Sequence, residues 1–167
     1  MSKPFQYPET PMDRGKILWE KDLEELKGNW GRYLDKDGDA IPYRTIPGNK
    51  HPLSSYFTRG TGHDEYAKYT EDSGVYIKNM ERLAQKQITA KQYVPAPVLH
   101  EKKGASIGII AFGSTENAIF EAQAQLEQEN GIKSEFLRLR AIPFTKEVDA
   151  FIEKYDQIFV VEMNRDG

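Results

Sequence analysis

An unbroken apolar run from Ile107 to Phe112, closed by Gly113 and followed by helical periodicity from Glu116, has the pattern of a buried strand feeding a helix in a parallel sheet. The same plan then repeats. A helix is predicted over Asn117–Glu129, with Ile119, Ala122 and Leu126 as its inward stripe, and Gly131 stops it. Ile132–Arg140 reads as a second strand, Thr145–Tyr155 as a second helix capped by Thr145, and Gln157–Met163 as a third strand; Val148, Phe151 and Ile152 continue the core. The expected fold class is α/β: part of an open, mostly parallel sheet built as β-α-β-α-β, whose right-handed crossovers are expected to place both helices on one face.

The first half of the chain patterns differently. Pro4, Pro8 and Pro11 favour an extended path, and Phe5 and Tyr7 need a surface to lie on. A short helix is predicted through Leu18, Asp22 and Leu26, interrupted by Gly28 and Gly31. The proline- and glycine-punctuated segment Ile41–Pro52 is expected to pack on other polypeptide, with no core of its own. One long helix is expected near 72–92, capped within Thr70–Ser73 and carrying Tyr76, Met80 and Leu83 as a packing face. Val94-Pro-Ala-Pro97 ends it. The predicted organisation is an extended, mostly irregular arm over 1–93, a linker over 94–104 in which His100 is solvated, and a truncated α/β domain over 105–167. The apolar content of 38% falls below the ~45–50% usual for globular domains, and the deficit lies in that first half.

Composition narrows the chemistry. A net charge of −3 and the absence of a basic stripe with interleaved aromatics argue against nucleic acid as a partner. The sequence has no cysteine, which removes disulfides, thiolate catalysis and Cys-ligated zinc or iron–sulfur sites carried by this chain; a reducing cytoplasm is compatible with that. No apolar run approaches the ~20 residues that span a bilayer, and the start lacks a signal-peptide core, so a membrane is not an expected partner.

Several stretches carry candidate chemistry. Asp35-Lys-Asp-Gly-Asp39 invites a calcium reading, but an EF-hand loop from Asp35 requires glycine and glutamate where Ala40 and Ile46 stand, so an acidic turn is the better description and no metal site is expected. Tyr56-Phe-Thr-Arg-Gly-Thr-Gly-His-Asp-Glu-Tyr66 holds the densest cluster of reactive groups. Gly60 and Gly62 allow backbone amides to converge on an anion, with Arg59 and His63 adding charge or donors; the competing reading is a plain loop held by Asp and Thr side-chain bonds. His63, Asp64 and Glu65 are consecutive, so their side chains diverge and do not share one metal. Gly113-Ser114-Thr115 lies at the carboxyl end of a strand and the amino end of a helix, where an anion or an interface is one reading and a helix cap at Ser114 or Thr115 the other. Glu162 and Asn164 sit at the end of the third strand, as interface or ligand contacts or as a simple strand-ending turn.

Taken in order, Pro4-Phe-Gln-Tyr-Pro8, Pro11-Met-Asp-Arg-Gly-Lys16, Ile41-Pro-Tyr-Arg-Thr-Ile-Pro-Gly48, Tyr56–Tyr66, Thr70-Glu-Asp72, Gly113-Ser-Thr115, Pro143-Phe144 and Val160-Val-Glu-Met-Asn-Arg-Asp-Gly167 resemble the alpha subunit of bacterial 2-oxoacid:ferredoxin oxidoreductases, nearest to the 2-oxoglutarate branch. The resemblance implies a connecting arm and a swivel domain similar to a transketolase C-terminal domain. It implies an assembly that decarboxylates a 2-oxo acid on thiamine diphosphate with magnesium, transfers the acyl group to coenzyme A and passes electrons through iron–sulfur clusters to ferredoxin. The partners it implies are a beta subunit and the rest of the alpha subunit. The family's upstream Tyr-Pro-x-Thr-Pro motif and the beta subunit's Gly-Asp-Gly motif and cluster cysteines are not in this sequence. The segment itself is therefore expected to be structural, to bind no cofactor alone and to be inactive alone. Arg59, Thr61, His63, Asp64 and Glu65 are expected to line or brace the region near substrate or coenzyme A.

A second reading remains: a non-enzymatic α/β module that binds a partner protein or an anionic ligand at Gly113–Thr115. Under the first reading the sequence is a piece of a longer chain, and the isolated segment is expected to self-associate through an open strand edge.

Overall fold

The computed structural model describes residues 6–56 and 60–164, and the chain divides into two compact units, 1–86 and 87–167. Helix α2, Ser73–Ala90, runs through the point of division. Among the described residues no helix is long and apolar enough to cross a membrane.

The second unit is a four-stranded sheet. Its strands are β1 (Val98–His100), β2 (Ile107–Phe112), β3 (Ser134–Leu139) and β4 (Ile158–Val161), in the order β1-β3-β2-β4. β2 pairs in parallel with both β3 and β4, while β1 runs antiparallel to β3, with Leu99 opposite Leu137. Helices α3 (Glu116–Asn130) and α4 (Lys146–Lys154) form the two crossovers. Gly131 ends α3 in the left-handed conformation at φ 69°, and its N–H returns to the Glu127 carbonyl, as the glycine stop predicts.

Each sheet face carries one helix. Ile119 of α3 packs on Ile109, Ala111 and Phe136, whereas Val148 and Phe151 of α4 pack on Ile110 and Leu137. The expectation of both helices on one face is thereby corrected. The β2-to-β3 crossover moves one way across the sheet and the β3-to-β4 crossover moves back past β2, so two connections of the same hand emerge on opposite faces. The stripe along α3 also differs: Ala122 is exposed, Gln123 is half-buried instead, and its amide donates to the Ser134 carbonyl at 2.9 Å. Ile152 of α4 is 50% exposed and adds little to the core.

The stretch 94–104 contributes a strand where a linker was expected. β1 is too short to announce itself between Pro97 and Lys102, and pairing with β3 holds it in the sheet. His100 is not simply solvated. Its ring stacks on Phe136 at 5.4 Å and meets Phe120 edge-on at 4.9 Å, and its Nε2 lies 3.9 Å from Glu116.

The first unit is less regular than the second, yet it buries Leu18, Leu23 and Ala40. Helix α1, Glu20–Leu26, starts where the Asp22 carboxylate accepts from the Trp19 N–H at 2.7 Å. The segment 41–52 is tied back to it: Ile17 and Arg44 bridge in parallel, Asn49 donates to the Leu18 carbonyl, and the Lys50 N–H donates to Glu20. The acidic turn folds as a turn. Asp35 accepts from the Gly38 and Ala40 N–H groups, and Lys16 places its ammonium 2.6 Å from Asp37 and 2.7 Å from Asp39. Lys16 thus supplies the positive charge that faces Asp37 and Asp39.

Candidate functional site

The reactive stretch after Tyr56 folds in the first unit as a small hairpin over Thr61–Thr70. His63 and Tyr69 form an antiparallel bridge, the Thr70 N–H donates to the Gly62 carbonyl, and the Asp64 N–H donates to the Lys68 carbonyl. Glycine is required at 62 because a Cβ there would lie 2.5 Å from the Thr70 carbonyl oxygen. Asp64 turns into its own loop: one carboxylate oxygen accepts from the N–H groups of Tyr66 and Lys68, both at 2.9 Å. Glu65 points elsewhere, to Lys78 on α2 at 3.3 Å. His63 lies against the Tyr33 ring, with centroids 4.1 Å apart. The three consecutive side chains diverge, and among the described residues no three His, Cys, Asp or Glu converge as cation ligands. Arg59 lies outside the described residues.

The hairpin is gripped from two sides. On one, the Tyr33 N–H donates to the Glu65 carbonyl at 3.0 Å, and Gly31 lies so close that a Cβ would stand 2.4 Å from that oxygen. On the other, the Asn79 amide of α2 donates to the His63 carbonyl at 2.6 Å. A groove of about 500 Å³ opens between the hairpin and α2, lined by Thr61 and His63 on one wall and by Tyr76, Asn79, Met80 and Arg82 on the other. The Thr61 carbonyl accepts from His63 Nδ1 at 3.2 Å, so that nitrogen carries the proton. Arg82 is held below its ordinary value, first by burial and then by the neighbouring Arg32, with Asp35 partly offsetting both. Its Nε is buried with no hydrogen-bond partner, and one Nη reaches the Ala40 carbonyl at 3.4 Å. A partly desolvated cation with donors to spare raises the potential in the groove, against the carboxylates of Glu71 and Asp72 on its rim. Asp72 is committed to accepting from the Val75 N–H at the start of α2.

In the second unit the turn Gly113–Thr115 and the segment Glu162–Asn164 come together, because β2 and β4 are neighbours and both end there. Ser114 Oγ stands 4.0 Å from Met163 Sδ. Neither Ser114 nor Thr115 caps α3 by a side-chain bond. Gly113–Thr115 forms a 3-10 turn entered through Gly113 at φ 71°, and Thr115 Oγ1 donates back to the Phe112 carbonyl at 2.9 Å. Glu162 accepts from the Asn164 N–H at 2.8 Å, the bond of a strand-ending turn. This juxtaposition lies at the carboxyl ends of two parallel neighbours, the edge on which open α/β sheets place their ligands.

Sequence reasoning missed Gly31, Tyr33, Asn79 and Arg82. Asn79 alone had a legible signal: asparagine is a poor residue for a helix interior and usually has a reason to be there.

In sequence the chain is similar to a segment of the alpha subunit of 2-oxoacid:ferredoxin oxidoreductases, as the motifs implied. Subunit alpha of 2-oxoacid:ferredoxin oxidoreductase 2 from Aeropyrum pernix is 29% identical over 160 residues, covering 93% of this chain and 23% of the relative. The corresponding alpha subunit of Saccharolobus solfataricus is 29% identical over 141 residues, covering 81% of this chain and 20% of the relative. The chain therefore spans less than a quarter of the length of these curated relatives. Among solved structures, the 2-oxoglutarate:ferredoxin oxidoreductase from Magnetococcus marinus with 2-oxoglutarate, coenzyme A and succinyl-CoA bound has the same fold over 84% of this chain and 24% of its own, with a TM-score of 0.66 and 24% identity. No protein-family model matches the chain.

Proposed function

We propose that this chain serves as part of the alpha subunit of a 2-oxoacid:ferredoxin oxidoreductase, which oxidatively decarboxylates a 2-oxo acid such as 2-oxoglutarate to its acyl-coenzyme A and reduces ferredoxin. The observation that carries this reading is the match to a curated alpha subunit along 93% of the chain. The segment's own role is structural, in contact with the rest of the alpha subunit and with a beta subunit, in the cytoplasm. Its domains follow the pattern of a connecting arm followed by a swivel domain.

The residues present do not fit the enzyme's redox and diphosphate groups. Iron–sulfur clusters need thiolates and the sequence has no cysteine, and the family's Gly-Asp-Gly diphosphate motif is not in it either. Thiamine diphosphate, magnesium and the clusters are therefore assigned to the remainder of the complex, and no step through them belongs to this chain. The groove beside His63 fits the anionic, partly apolar character of a 2-oxo acid or of coenzyme A. Thr61 and His63 offer polar contacts, Arg82 offers positive potential, and Tyr76 and Met80 offer apolar surface. Arg59 belongs to this set by sequence, while Asp64 and Glu65 brace the hairpin from within.

The test is reconstitution of the complete alpha subunit with its beta partner, followed by 2-oxo acid-dependent and coenzyme A-dependent reduction of ferredoxin. Activity that falls for one substrate on Arg59→Ala or His63→Ala supports the reading. An intact assembly that fails to reduce ferredoxin whichever 2-oxo acid is supplied overturns the enzymatic assignment. Unchanged kinetic constants for both substrates in both variants overturn the assignment of the loop.

A further inference from the structure

We infer that Asn79, in the middle of α2, is a positioning residue for the His63 side of the groove and makes substrate affinity depend on that helix. This inference rests on the proposed reading of the groove and adds to it the residue that sets its geometry. The Asn79 amide donates to the His63 carbonyl at 2.6 Å, a contact between helix and hairpin made at the residue whose ring forms the groove wall, apart from the more exposed Lys78–Glu65 ion pair at 3.3 Å. That carbonyl cannot move without carrying the ring, because the ring is already fixed by Tyr33 at 4.1 Å and by Nδ1 on the Thr61 carbonyl. The hairpin has no slack on its other sides. Gly62 is pressed against the Thr70 carbonyl and Gly31 against the Glu65 carbonyl, so loss of the Asn79 bond releases one well-defined edge and leaves the others in place. Asn79 also lines the groove beside Met80 and Arg82, so its displacement changes the distance between the His63 wall and the Arg82 cation.

The experiment compares Asn79→Asp, which keeps size and removes the donor, with Asn79→Gln, which keeps the amide, in the complete enzyme. The expected result for Asn79→Asp is a rise of roughly tenfold in KM for the substrate that occupies the groove, with kcat changed much less, and partial recovery in Asn79→Gln. Hydrogen exchange at the Asp64 and Thr70 amides, which close the hairpin, is expected to accelerate in Asn79→Asp and recover in Asn79→Gln, and it requires no turnover. Equal loss of kcat and kcat/KM without a KM change, or unaltered exchange, overturns the positioning role. If the wild-type enzyme fails to reduce ferredoxin whichever 2-oxo acid is supplied while exchange behaves as expected, the enzymatic reading fails and the mechanical link between Asn79 and the hairpin stands.

Discussion

Lys154 places its ammonium 2.6 Å from Glu135 Oε2, joining the end of α4 to a carboxylate on the central part of the sheet. Glu135 is 5% exposed. Burial acts to raise its pKa, but Lys154, Tyr155 and the Lys102 N–H together outweigh that and hold the carboxyl below the usual range. A folded-state value below the unfolded one means the stabilisation is fully present above the unfolded value, roughly pH 4.3, and is lost as pH falls through the folded value. Urea titrations across pH 3 to 7 are expected to show a steeper acid loss for the wild type than for Glu135→Gln. At neutral pH that variant is expected to cost about 1–2 kcal/mol. Lys154→Met, which strands the buried carboxylate, is expected to cost more.

The two glycines that clamp the hairpin give a sharper test of local packing. Gly31→Ala and Gly62→Ala each place a methyl group within 2.5 Å of a carbonyl oxygen, which only backbone movement relieves. A loss of about 1–3 kcal/mol is expected from each, read by thermal unfolding. Gly15→Ala, at a glycine with open space around it but with φ 75°, is expected to cost only the smaller conformational penalty.

Lys16 acts as a tethered counter-ion in the acidic turn. Lys16→Met is expected to leave Asp37 and Asp39 repelling each other, with a small loss of stability at low salt that fades toward about 1 M sodium chloride. A loss independent of ionic strength would show that the lysine stem, and not its charge, matters here.

The core and the β4 margin are expected to respond oppositely to truncation. Phe136 is wholly buried, and Phe136→Ala is expected to cost about 3–5 kcal/mol. Phe159 and Val160 are 55% and 71% exposed on a strand that, among the described residues, pairs only with β2. The isolated chain is expected to self-associate in sedimentation velocity, and Phe159→Lys is expected to shift it toward monomer with little effect on unfolding.

The parallel half-sheet was readable because its signals are local: the apolar run 107–112, the stop at Gly131 and the periodic pair Val148 and Phe151 each name their own element. The sides taken by α3 and α4 were not, because they depend on which strand β4 pairs with, a contact the sequence does not print. β1 was hidden by its three-residue length between proline and lysine. At the candidate site the divergence of His63, Asp64 and Glu65 follows from their adjacency, as read from the sequence. Tyr33 and Gly31 were invisible there, since they reach the hairpin from some thirty residues away, Tyr33 through a backbone N–H that almost any residue offers and Gly31 through close backbone approach.

The antiparallel pairing of β1 with β3 gives the sheet a polarity of growth. A reversed strand on that margin closes the parallel register, since a further crossover unit of the same winding would have to dock beside a neighbour pointing the wrong way. Extension of the parallel layer is left to the margin at β4, so whatever polypeptide lengthens this sheet in kind does so next to Phe159 and the Glu162 turn, on the side away from His100.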